Sequence, residues 1–537
     1  MCQSTKEALR RLMTPLHRWD TQKPEESFPR QKVEEFFEAD DGQRIQDLAH
    51  CKCEFFQLGC ASYHQPFDEY VVQRIRNKDE TYIVVLAFLC FVEHTGLIHK
   101  FIEKGYSDQR LHEHPLERQQ FDELFPSPES DGQAYSHIEF DFFRFFMPVV
   151  HGPDKQQTFL PMQTLPFEII ERIGEGGYGI VYRAKMLDGG YCKFVDKKVS
   201  YPYSLALERY AKDWQDGLVA IKRYTSLVTR GAGADWEKEW RNNVMYNEHP
   251  HINPILASIA HGDVYMNVYT LCEGDLQKLF TKDPRPEDHE ARSIWRQYMG
   301  LLSALNYIHC SLPTQFGYHF DIKTSNILVI LGQWMIADLG LLHCKNNEGG
   351  MLSTTPRRLG SQEFGAPETT VTRKFDIWGI ACVGCIVLAW LRLGASGVER
   401  FREDRKQEVL GHGMKTILYN FYSKVPDGHQ LHPAVENLLF EATDDLSKGV
   451  AAILRDMLSI DVERRLTAEE AEKRFGEVLG VTPLKVSKPP QRPRSVSARR
   501  KLAFPGQRLM LTFKIGGTVG TIGCPRRWSG TRPVTPL

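Results

Sequence analysis

The run Tyr318-His319-Phe320-Asp321-Ile322-Lys323-Thr324-Ser325-Asn326 places a carboxylate, an ammonium and an amide within nine residues, and Asp338-Leu339-Gly340 begins twelve residues after Asn326. Asp321 is a candidate base, Lys323 a cation beside it, and Asn326 with Asp338 are hard oxygen ligands of the kind a magnesium ion takes. Together they suit phosphoryl transfer from a magnesium nucleotide, a reaction carried by positioning and charge stabilisation. The chain also holds Gly174-Glu175-Gly176-Gly177-Tyr178-Gly179-Ile180-Val181, whose glycines let backbone close over phosphates, and Val219-Ala220-Ile221-Lys222, which ends in a second ammonium.

A glycine string of this kind also occurs between a strand and a helix in dinucleotide-binding folds. Here Ile180-Val181-Tyr182-Arg183-Ala184 follows it, so the loop joins two strands. Further on come Gly360-Ser361-Gln362-Glu363-Phe364-Gly365-Ala366-Pro367-Glu368 and, later, Asp461-Val462-Glu463-Arg464-Arg465-Leu466-Thr467. In their order and spacing these segments resemble the eukaryotic protein kinase family, serine/threonine type, from about Phe167 to Phe475.

The resemblance implies an α+β, bilobal fold: a small β-rich lobe, a larger helical lobe, and ATP with Mg²⁺ in the cleft. It implies that Gly174, Gly176 and Gly179 cover the phosphates, that Val181 and Ala220 cover one face of the adenine, and that Ile173 and Leu328 complete the nucleotide contacts. The hinge falls at Tyr269, Leu271 and Cys272, with Tyr269 guarding the back pocket. Asp275 is expected either to reach the ribose or substrate, or to cap the helix that follows. Lys222 is expected to hold the α- and β-phosphates and to need an acidic partner from Asp235-Trp236-Glu237-Lys238-Glu239-Trp240. Glu239 fits better by its distance from His249-Pro250-His251-Ile252, and Glu237 stays open. Asp321, Lys323, Asn326 and Asp338 take the roles given above, and Ser361 is expected to hydrogen-bond Asp321 and Lys323. Lys323 and Thr324-Ser325-Asn326 resemble the serine/threonine type. Glu368 and Arg465 are expected to form a buried ion pair that serves the fold.

Two departures bear on regulation. Phe320 stands where regulated members carry an Arg that pairs with a phosphate on the activation loop, and a phenyl ring makes no charge-assisted hydrogen bond. Ordering of the loop by phosphorylation through that route is therefore not expected, although Ser353, Thr354 and Thr355, close to Arg357 and Arg358, stay open to modification; activity that is constitutive or set by the N-terminal region is expected instead. Leu339 replaces a Phe, an apolar exchange that touches neither the metal nor the phosphate groups. The rival function is a pseudokinase-like scaffold that binds nucleotide and partners without efficient catalysis; intact Lys222, Asp321, Asn326 and Asp338 weigh against it.

Length and composition frame the rest. The chain has 537 residues, a formal net charge of −1 and twelve cysteines. That is too long for one core, and the balanced charge gives no bulk attraction to nucleic acid or membrane. No secretory pattern opens the sequence, so reduced thiols and a cytoplasmic location are expected, with nuclear import through the basic tail as a variant. His50, Cys51, Cys53, Cys60 and His64 invite a zinc reading, but the second ligand pair is loose, and reduced thiols are preferred. Tyr82 to Val92 is shorter than the roughly 20 residues a membrane helix needs. Ile377 to Leu393 is read as a buried core helix of the large lobe.

Three regions follow: residues 1–160, a mostly helical extension of unknown role; 167–475, the kinase domain; and 485–537, a disordered basic tail. The extension reads as partly folded, with Pro, Asp and Gly punctuating short apolar runs. Asp188 to Gly217 reads as an exposed insertion on the small lobe. From Lys485 to Leu537 there is no acidic residue, so the tail is expected to bind an acidic partner or to be phosphorylated at Ser495 or Ser497. The expected partners are protein substrates.

Overall fold

A computed structural model describes residues 2–16, 25–50, 68–125, 134–176, 179–187, 192–193, 217–225, 231–282, 285–287, 289–310, 315–346, 355–356, 361–411 and 414–483. The zinc reading at Cys51, Cys53, Cys60 and His64, the loop residues Ser353, Thr354, Arg357 and Arg358, and the tail with Ser495 and Ser497 lie outside the described residues. So does the insertion after Asp188, apart from the short strand Cys192–Lys193, which pairs in parallel with Val150–His151.

The extension is a packed helical unit, beyond the partly folded region expected. Its centre is α1 (Ile83–Phe91), whose nine residues are all apolar or thiol and all buried. A helix apolar all round must be covered all round, and the aromatic residues of neighbouring helices do so. Phe28 stacks on Phe145 at 3.8 Å between ring centroids, and Phe88 meets Phe142 edge-on at 5.4 Å. The free N–H groups at the start of α1 find a distant cap: the Asp108 carboxylate accepts from Val84 and Val85 at 3.1 and 2.9 Å.

The small lobe is a six-stranded sheet. Its strands are β1 (Gln156–Phe159), β2 (Phe167–Gly176), β3 (Gly179–Met186), β4 (Leu218–Tyr224), β5 (Ile255–His261) and β6 (Val264–Thr270), in spatial order β1-β5-β6-β4-β3-β2. Five strands are antiparallel; β1, from within the extension, joins β5 in parallel. One helix, α2 (Ala232–Tyr246), packs on this sheet, and its Trp240 indole donates to the Pro153 carbonyl at 2.9 Å.

The large lobe is helical, built on α3 (Ala291–Cys310), α4 (Lys374–Asp404), α5 (Asp445–Met457) and α6 (Ala468–Leu479), with the hairpin β7 (Ile327–Ile330) and β8 (Gln333–Ile336) facing the cleft. Helix α4 is long and apolar enough to cross a membrane, but 89% of its apolar window is buried inside the protein, as a core helix requires. Helix α6 starts with a reciprocal cap: the Glu470 N–H donates to the Thr467 hydroxyl at 3.2 Å and the Thr467 N–H to the Glu470 carboxylate at 2.8 Å.

Candidate active site

Strands β2 and β3 form a hairpin whose last described pair is Gly176 opposite Gly179; Gly177 and Tyr178 lie outside the described residues. The glycines differ in what demands them. A Cβ at Gly179 would stand 2.1 Å from the Arg223 carbonyl oxygen on β4, so strand packing alone requires glycine there. Gly176 has nothing within 4 Å of that position, which leaves open space on the side where phosphates would lie.

Lys222 on β4 donates to Glu239 Oε2 at 2.7 Å and to Asp338 Oδ1 at 2.9 Å. Two residues apart on a helix face nearly opposite ways, so only one of Glu237 and Glu239 can look into the cleft. Glu239 does, at 2% exposure, while Glu237 pairs outward with Arg241. Burial would lower the Lys222 pKa, but the charges of Asp338 and Glu239 and the bonds to them more than offset it and hold the ammonium above its ordinary value. Burial would likewise raise Asp338, and the Lys222 charge outweighs it, keeping the carboxyl below its ordinary 3.8.

Below the cleft, Asp321 Oδ2 accepts from Lys323 Nζ at 2.7 Å and from Asn326 Nδ2 at 3.0 Å. Asp321 Oδ1 accepts the Ser361 backbone N–H at 2.9 Å. Of the two contacts expected of Ser361, the one to Asp321 is present, made by the backbone amide; among the described residues Ser361 makes no hydrogen bond to Lys323. The loop is held from behind by Asp376 on α4, which accepts the His319 and Phe320 N–H groups at 2.8 and 2.9 Å and sits 2.9 Å from His309 Nε2. These bonds hold Phe320 at φ +70°, a region non-glycine residues rarely occupy. The Phe320 ring lies 5.5 Å from that of Tyr318 and 6.3 Å from that of Phe375, so it joins apolar packing beside the loop.

Asp376 carries a pH signature. Burial would raise its pKa, but the hydrogen bond and charge of His309 more than compensate and keep it below 3.8. A folded pKa lower than the unfolded one gives stability that is complete above the unfolded value and fades as pH falls through the folded one. Stability of the wild type, measured by denaturant titration at several pH values, is thus expected to drop more steeply with acid below about pH 4 than that of Asp376→Asn. Parallel curves would contradict the assignment.

Ala220 and Tyr269 are buried and packed with Val181 and Leu271, and Leu328 and Cys272 pack with Ile330 and Met335. Ile173 is 37% exposed. Asp275 takes the capping alternative: its carboxylate accepts the Lys278 N–H at 2.9 Å at the start of the helix Leu276–Leu279.

Asn326 and Asp338 fit a magnesium ion. The Asn326 Nδ2 donates to Asp321, which leaves its amide oxygen for a metal, and Asp338 engages Lys222 through Oδ1, which leaves Oδ2. One carboxylate and one amide oxygen, completed by phosphate oxygens and water, is a donor set magnesium accepts.

The sequence reading missed the polar residues behind Glu239: Tyr224, Asn243, Ser258 and Asn267 are all buried there. The signal was present, since Ser258 and Asn267 interrupt the apolar strands Ile255–His261 and Val264–Thr270.

A protein kinase domain model matches residues 207–474. Cyclin-dependent kinase 10 of Rattus norvegicus is 28% identical over 314 residues, covering 56% of this chain and 77% of that protein. Extracellular signal-regulated kinase 2 of Dictyostelium discoideum is 24% identical over 322 residues, 57% of this chain and 77% of that protein. Cyclin-dependent kinase G1 of Arabidopsis thaliana is 26% identical over 324 residues, 57% of this chain and 48% of that protein.

Proposed function

Because the chain belongs to the eukaryotic protein kinase family, we propose that it transfers the γ-phosphate of Mg-ATP to a serine or threonine hydroxyl of a protein. The observation that carries this reading is the assembled state of both halves of the site: Lys222 lies on Glu239 and Asp338, and Asp321 lies on Lys323, Asn326 and the Ser361 amide.

In this reading Lys222 holds the α- and β-phosphates, and Glu239 fixes its ammonium. Asp321 orients the acceptor hydroxyl and takes its proton, while Lys323 neutralises charge on the phosphoryl group in transfer. Asn326 and Asp338 would hold the magnesium, which would supply positive charge to offset that of the phosphates. Lys323 two residues after Asp321 supports a hydroxyl-amino-acid acceptor of the serine/threonine kind.

The test is phosphoamino-acid analysis of a generic basic acceptor incubated with the protein and γ-labelled Mg-ATP. Label on serine or threonine is expected. Label on tyrosine would overturn the acceptor class, and Mg-ADP binding without any transfer would support the scaffold alternative.

A further inference from the structure

Glu239 is held by more than the lysine it serves. Across the small-lobe sheet Ser258 stands opposite Asn267, and Asn267 stands opposite Lys222. Directly opposed residues project to one face, as do residues two apart on a strand, so Ser258, Asn267, Lys222, Tyr224 and Tyr269 share a face. A polar row inside an apolar sheet is costly unless each member finds a partner.

Each does. The Ser258 hydroxyl donates to Asn267 Oδ1 at 2.7 Å, and Asn267 Nδ2 donates to the Tyr224 oxygen at 2.8 Å. The same Nδ2 lies 3.4 Å from the Tyr269 oxygen, as does Asn243 Nδ2 from α2. Tyr269 in turn donates to Glu239 Oε1 at 2.8 Å. Oε2 thus faces Lys222 and Oε1 accepts from Tyr269, with the Tyr224 hydroxyl also bonding toward the carboxylate. Burial first, and the Glu239 charge second, hold the Tyr269 phenol well above its ordinary pKa, so it is the donor at physiological pH. Ser258 and Asn267 are fully buried and meet no solvent that could replace these bonds.

We propose that Tyr269, backed by Asn267 and Ser258, is a positioning residue: its hydroxyl pins Glu239 and thereby sets Lys222 for the nucleotide phosphates. The proposal rests on the kinase reading above for its consequence in turnover, but its binding consequence stands apart. It also supplies a reason why a loop with Phe320 in place of an arginine can still hold α2 inward: the tether runs through the sheet. A carboxylate gripped on one oxygen can swing about the other, and a second grip removes that freedom.

The experiment is Mg-ADP affinity by calorimetry and kcat/KM for ATP in the wild type, Tyr269→Phe, Glu239→Gln and the double variant, with Ser258→Ala as a variant remote from the nucleotide. Tyr269→Phe keeps the ring and its packing, and is expected to lower both Mg-ADP affinity and kcat/KM about ten-fold, the scale of one hydrogen bond to a charged group. The double variant is expected to be no worse than Glu239→Gln alone, and Ser258→Ala to shift both readouts in the same direction by less. Wild-type affinity and turnover in Tyr269→Phe, or losses that multiply in the double variant, would overturn the tether. A wild type that binds Mg-ADP but transfers nothing would overturn the kinase reading while the binding series still decides the tether. A wild type that binds no Mg-ADP would overturn both.

Discussion

Asp321→Asn is expected to lower kcat by about 10²–10⁴-fold, the span that a positioned base contributes. The side chain keeps its shape but only one of its two oxygens, so of the Ser361 amide on Oδ1 at 2.9 Å and the Asn326 amide on Oδ2 at 3.0 Å only one retains an oxygen acceptor. What it loses is the negative charge under Lys323 Nζ, 2.7 Å away, and the lone pair that would take the acceptor proton. Nucleotide affinity should change little, because Lys222, Asn326 and Asp338 are untouched. Steady-state kinetics beside Mg-ADP calorimetry checks both halves. A variant that keeps wild-type turnover would remove Asp321 from the chemistry.

The second large effect is on the fold. Arg465 and Glu368 form a two-pronged pair, Nη1 to Oε1 at 2.7 Å and Nη2 to Oε2 at 3.0 Å, with Arg465 at 0% side-chain exposure and Glu368 at 13%. Nη1 also donates to the Lys374 carbonyl and Nε to the Ser459 carbonyl, each at 3.0 Å, and the guanidinium lies 5.1 Å from the centroid of the Trp378 ring. One side chain thus ties the substrate-side segment, the start of α4 and the turn after α5. Arg465→Met leaves the Glu368 carboxylate without its partner, a loss typically worth about 3–5 kcal/mol. The double variant Glu368→Gln with Arg465→Met should cost less than the two single losses combined, since the stranded charge is gone. Urea titration reads the difference; a shift below about 1 kcal/mol would rank the pair with ordinary surface ion pairs.

How much of this was legible in the sequence depends on whether a residue's role is set by its neighbours along the chain or across the fold. The segment from Asp321 to Asn326, with Asp338, sits in one short stretch of backbone and one turn, and its spacing alone was enough to group the residues that the structure brings together. Glu239 was preferred over Glu237 by its distance from His249-Pro250-His251-Ile252, but the choice stayed open until the structure placed Glu239 on Lys222. The Ile377 to Leu393 run was correctly placed in the core because a helix buried on every side and a membrane helix differ only in what surrounds them, and the motif before it supplied the surroundings.

What escaped was set by tertiary contact. Nothing in residues 150–160 announces that Gln156–Phe159 will pair with Ile255–His261, a parallel partner about a hundred positions away. The extension's phenylalanines gave helices by their spacing, but their convergence on α1 is a matter of packing. That Ser361 meets Asp321 through its backbone amide is likewise a matter of tertiary approach, since a motif carries side-chain identity and no backbone direction. Asn267 and Ser258 interrupt apolar strands, and they acquire meaning only when the sheet register sets them beside Lys222 and behind Glu239.

Phe320 packs against Tyr318 and Phe375 while Glu239 is already engaged with Lys222, and on that ground we propose phosphoryl transfer without help from a phosphorylated loop. Its most direct test is transfer of labelled γ-phosphate from Mg-ATP to a basic acceptor by phosphatase-treated, folded wild-type protein, with Asp321→Asn alongside. Label is expected from the treated wild type and none above background from the variant. A folded, treated wild type that transfers nothing, but gains activity when its activation loop is phosphorylated, would contradict it.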